Sequence, residues 1–147
     1  MRRALKILPV LFAGLLLLEG AAPALAGSAK QGEAARVQFT GVTQSGQERH
    51  GQHFAAAGLR SLLINVQWRT LVGAHTQRLE LITPDGSVYQ TLTTPVESVT
   101  GTAVAETRLP VSGTWITEYS LHGHWKVNVY LDDAVRPVTT ADFTLAD

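Results

Sequence analysis

The chain has 147 residues, with 12 Lys plus Arg against 12 Asp plus Glu and no cysteine. The absence of cysteine excludes a disulfide framework, so a hydrophobic core has to hold the fold unaided. An even charge balance with no basic cluster argues against nucleic acid or an anionic membrane surface as the main partner.

The N-terminus sets the compartment. Arg2, Arg3 and Lys6 precede an apolar run from Ile7 to Leu18, and Ala24-Leu25-Ala26 forms an A-x-A cleavage site, the three parts of a secretory signal peptide. The apolar run stops at Glu19, well short of the roughly 20 residues a spanning helix needs. A signal peptide over 1–26 is therefore expected, followed by a mature chain from Gly27 with no membrane insertion. The expected location is periplasmic or secreted, in a bacterium. The mature chain carries nine Lys plus Arg and eleven Asp plus Glu, a net of −2 with histidine neutral. Residues 27–34 are small and polar and read as a flexible lead-in, leaving 35–147 as one domain.

From there the pattern has a period of two. Arg36 to Thr43 places Val37 and Phe39 on one face. Gln44 to Arg60 is the most polar segment and reads as a loop, with room for one helical turn between Gln52 and Leu59. Ser61 to Leu71 alternates clearly: Leu62, Ile64, Val66 and Trp68 lie on one side and Ser61, Asn65, Gln67 and Arg69 on the other, the mark of a half-buried strand. Thr76 to Thr83 is a further strand, and Pro84-Asp85-Gly86 turns it back into Ser87 to Thr93. Pro95 to Gly101 reads as a loop and Thr102 to Leu109 as a strand. After a break at Pro110 to Gly113 comes a strand from Thr114 to Leu121. Trp125, Val127, Val129 and Leu131 alternate in the clearest strand, which ends at Asp132-Asp133, and Ala141, Phe143 and Leu145 line the last. Such a run of short strands predicts an all-β fold, a two-sheet antiparallel immunoglobulin-like sandwich of seven or eight strands.

Leu79-Glu80-Leu81-Ile82-Thr83-Pro84-Asp85-Gly86, then Leu121-His122-Gly123-His124-Trp125-Lys126-Val127-Asn128-Val129, then Phe143-Thr144-Leu145 resembles the strand, P-x-G turn, G-x-W-x-V-x-V and F-x-V run of macroglobulin-type and related bacterial immunoglobulin-like domains. The resemblance spans about half of residues 27–147. It implies a β-sandwich that binds or supports other proteins. Protease-trapping members carry a thioester cysteine; this chain has none, so trapping is not implied.

Candidate chemistry is sparse. His75, His122 and His124 fall in turns that simple strand alternation brings to one end of the sandwich, with His50 and His53 at the other. Three imidazoles with an open position would suit zinc or copper. No carboxylate lies near them in sequence to orient them, so solvated loop histidines are the expectation. No G-x-S-x-G elbow occurs. Asp132 and Asp133 read as turn formers, and Glu80, Glu106 and Glu118 as outward strand residues. Trp68 and Trp125 share parity with aliphatic neighbours and are expected in the core. Trp115 and Tyr119 share a face with Leu121, which points them inward. If exposed, they would form a two-ring platform for a sugar or a protein partner. The expectation is an exported, non-catalytic module for protein binding or structural support in the cell envelope. The rivals are a periplasmic metal-binding protein and a carbohydrate-binding module.

Overall fold

A computed structural model describes residues 34–147. The signal peptide expected over 1–26, and the expected lead-in up to Glu33, lie outside the described residues. Seven strands form one connected mixed sheet: β1 (Ala35–Thr43), β2 (Glu48–His50), β3 (His53–Ala55), β4 (Leu59–Ile82), β5 (Val88–Pro110), β6 (Gly123–Leu131) and β7 (Thr139–Ala146). The order is β2-β1-β4-β6-β7-β3, with β5 on the free side of β4. Every pairing is antiparallel except β3 with β7, which is parallel.

β4 and β5 organise the molecule. The sequence pattern places a turn between Leu71 and Thr76 and a loop from Pro95 to Gly101, but both stretches stay within the sheet. The chain keeps pairing through them because β4 bulges on either side of Leu71, where Thr70 has φ 63° and Gly73 φ 95°, while β5 bends at Gly101, φ 91°. Bulges insert unpaired residues and sharpen the local twist. Parity records the change along most of the strand: Leu62, Ile64, Val66 and Trp68 are buried before the bulge and Leu71, Gln77, Leu79 and Leu81 after it, while at the start of β4 Leu59, Ser61 and Leu63 are buried as well. β5 switches at the same level, from Val96 and Ser98 to Ala105, Thr107 and Leu109. Pro95 is tolerated inside β5 because, among the described residues, that strand pairs only with β4, and an edge strand can lose a donor.

The bend curls the sheet into two arms. The first half of β4 holds β1, and the second half holds β6 and, through it, β7. β1 then faces β7, with the rings of Phe39 and Phe143 5.2 Å apart. Phe143 stacks on Trp125 at 5.8 Å, and Tyr89 meets Trp125 edge-on at 5.4 Å. Trp68 and Trp125 are both buried, as their parity predicts. The indole N–H of Trp68 donates to Oε1 of the fully buried Gln77 at 2.8 Å, which offsets the desolvation of both groups.

The turn at Pro84-Asp85-Gly86 forms as its residues demand. Gly86 has φ 88° and its N–H donates to the Thr83 carbonyl at 2.9 Å. Hydrogen bonds from the Thr83 hydroxyl and the Ser87 amide hold the Asp85 carboxyl below its usual range. The polar 44–60 segment carries β2, β3 and a single 3₁₀ turn at Ala56–Gly58. Phe54 from β3 packs over Gly41 of β1, so closely that a Cβ at Gly41 would lie 2.6 Å from the ring.

Candidate functional site

Between β5 and β6 the chain leaves the sheet. Val111 is fully buried, and its N–H and that of Ser112 both donate to the Arg60 carbonyl, at 3.0 and 3.3 Å. Gly113 takes φ 71°, and Thr114 then caps a short helix, α1 (Trp115–Glu118). The Thr114 hydroxyl donates to the Val111 carbonyl at 2.8 Å and accepts from the Ile116 N–H at 3.2 Å, which satisfies an otherwise orphaned helix donor. The helix closes on itself: the Leu121 N–H reaches the Ile116 carbonyl at 2.9 Å, and the Leu121 carbonyl accepts from the Trp125 indole at 2.9 Å. Both ends of the segment are thereby fastened to the core.

This helix overturns two expectations. The segment 114–121 is not a strand, and Trp115 and Tyr119 do not point inward. Ile116 takes the buried position, while Trp115 and Tyr119, four residues apart on the opposite side, are 65% and 68% exposed. Their rings meet edge to face, 6.1 Å between centroids at 83°. Glu118, expected on a strand, belongs to the same helix. One sequence signal was available: a Ser-Gly-Thr turn supplying an N-cap threonine directly before Trp115.

The histidines are distributed differently from the simple alternation of strands. His75 lies beside Asp132, just beyond the end of β6, whereas His124 is at its beginning. Asp132 lies eight positions along the chain from His124, about 26 Å at ~3.3 Å per residue. His75, His122 and His124 therefore do not share a coordination sphere. Nor are they the bare loop residues expected. His75 Nδ1 meets Asp132 Oδ2 at 2.8 Å, His122 meets Asp147, and His124 Nε2 lies 3.7 Å from Asp142 Oδ1. These carboxylates are remote in sequence, so spacing concealed them. His53, expected at the far end, is instead the neighbour of His124: register pairs His53 with Thr144 and Thr144 with His124, which puts all three on one face. Among the described residues no group of three or more histidine or acidic side chains is placed to hold a metal ion.

His75 is the most constrained of the five. Its second nitrogen faces the Val72 carbonyl at 3.0 Å. Carboxylate and carbonyl are both acceptors, so only the doubly protonated ring satisfies both contacts. The Asp132 hydrogen bond, then the Val72 carbonyl, hold the His75 pKa above its ordinary 6.5, and Asp132 is correspondingly held below 3.8. Asp132 also accepts from the Thr76 N–H at 2.9 Å. This pair ties the bulge of β4 to the end of β6. On the outer face, Glu80 accepts from Arg78 at 2.7 Å and from the Tyr130 hydroxyl at 2.9 Å, with Arg78 lying over the Tyr130 ring.

Compared with known protein families and with curated proteins, the chain matches none. Its chemistry has to be read from its own residues, and the exposed aromatic pair on α1 is the feature that core packing does not explain.

Proposed function

We propose that this protein is an exported, non-catalytic binding module of the cell envelope that takes a protein partner at the Trp115–Tyr119 ridge. The two arms of the curled sheet act in this reading as an immunoglobulin-like sandwich, a rigid base for the ridge. The observation that carries it is the exposure of two large aromatics on a helix whose ends are both locked to the core. Trp and Tyr are the residues that dominate protein contacts, since they bury much area at little entropic cost. A preorganised mount reduces that cost further.

The ring geometry favours protein over carbohydrate. Two successive sugar rings need aromatic faces that are roughly coplanar, whereas these stand at 83° and form a corner. A corner accepts an apolar side chain against both rings at once. The likeness to macroglobulin-type domains supports the same reading, as does the signal-peptide pattern for export.

The test is affinity capture from envelope extracts with the exported protein and with W115A/Y119A, followed by quantitative mass spectrometry. A partner retained by the first and lost from the second supports the assignment. Identical partner sets, or binding of soluble oligosaccharides that depends on Trp115 alone, would replace it with a different surface or a sugar ligand.

A further inference from the structure

β5 is hydrogen-bonded on one side only. Among the described residues it pairs with β4 and with no other strand, so along its outer side the backbone donors and acceptors face solvent. Its bend at Gly101 divides that edge into two segments, one in each arm. We propose that a second copy of this chain occupies the edge, joined antiparallel about a two-fold axis beside Thr107.

The charge pattern argues for this occupant. In a two-fold antiparallel pairing each residue meets its mirror position about the axis, and buried faces stay on the same side only when the axis passes a residue rather than a peptide bond. Centred on Thr107, Glu106 faces the second copy's Arg108, and Arg108 faces its Glu106. Ala105 meets Leu109 on the inner face, and Val104, 66% exposed, meets Pro110 on the outer. A centre at Glu106 or at Arg108 would set identical charges against each other, which is destabilising. Glu106 and Arg108 are exposed and have no ion-pair partner among the described residues. Arg108 makes only a 3.4 Å contact to the Ser61 hydroxyl.

The other arm accepts the same axis. The hydroxyls of Thr94 and Thr107 are 3.4 Å apart, so an axis passing Thr107 also passes Thr94. Centred there, Leu92 meets Val96, Thr93 meets Pro95 and Thr91 meets Glu97, with no like charges opposed; Pro95 has no N–H to donate, so the segment around Thr107 supplies most of the ladder.

Sedimentation velocity over a concentration series of the exported protein tests the pairing. The expected result is a monomer–dimer equilibrium that weakens with added salt. E106R alone and R108E alone should each weaken self-association by at least about tenfold. The E106R/R108E double variant should restore it, and an equimolar mixture of the two single variants should form a heterodimer. Both side chains face solvent, so far-UV circular dichroism should show every variant folded. A wild type that stays monomeric at every concentration overturns the proposal, as do single variants that dimerise like wild type or a double variant that does not recover.

Discussion

The Trp68–Gln77 hydrogen bond allows a quantitative test of how this core tolerates polarity. Both residues are buried, at 2% and 0% exposure, and the bond is 2.8 Å long. Trp68→Phe leaves the Gln77 carbonyl oxygen unpaired, and Gln77→Leu leaves the Trp68 N–H unpaired. An unpaired buried group costs about 1–3 kcal/mol. The double variant orphans neither group of the bond. The packing lost with the smaller ring is common to Trp68→Phe and the double variant, and the removal of Gln77 Nε2, a buried donor without a partner among the described residues, is common to Gln77→Leu and the double variant. Both cancel in the cycle, so the coupling energy should be about 2 kcal/mol or more. Guanidinium unfolding of the four proteins, followed by circular dichroism with the slope checked for constancy, measures it. A coupling below about 0.5 kcal/mol, the range of non-interacting sites, would refute the claim that this bond compensates the burial.

The His75–Asp132 pair predicts a pH dependence of definite sign. His75 is held above 6.5 and Asp132 below 3.8, so the histidine's contribution is complete below 6.5 and is lost as pH rises through its raised value, while the carboxylate's is lost as pH falls through its depressed one. Asp132→Asn should lower the His75 titration midpoint seen by NMR and flatten the fall in thermal midpoint above 6.5. Gly41→Ala should destabilise by about 1–3 kcal/mol through overpacking, because the new Cβ falls 2.6 Å from Phe54 and 2.8 Å from Leu59; hydrogen exchange should quicken first at 53–55. Trp115→Phe should leave stability within about 0.5 kcal/mol and abolish iodide quenching of the indole fluorescence, since the other two indoles are buried. Residual quenching in that variant would contradict the burial of Trp68 or Trp125.

Strict alternation made the best-packed strands legible. Trp125, Val127 and Val129 read as inward and are fully buried, and Phe143 and Leu145, expected to line the last strand, are buried in β7. Proline and glycine misled where pairing overrode them. Pro95 and Gly101 look like loop residues, yet one sits on an edge strand and the other at a bulge, positions that tolerate exactly those residues. At Trp115 the error was one of period. Read with a period of two, Leu121 pulls Trp115 inward; read as a capped helical turn, Ile116 is the buried residue and Trp115 is not. The histidine partners Asp132, Asp142 and Asp147 were hidden because they come from other strands or turns, and contacts of that kind depend on register.

The unbroken course of β4 and β5 through both arms bears on how the molecule comes apart. Neither arm owns a complete set of strands, so no cut between the arms leaves a unit able to fold alone. Unfolding one arm strips the other of the hairpin that carries its pairing, which predicts a single cooperative transition. Slow amide exchange should be nearly equal on the two sides of the bulge, and the arms should form one foldon.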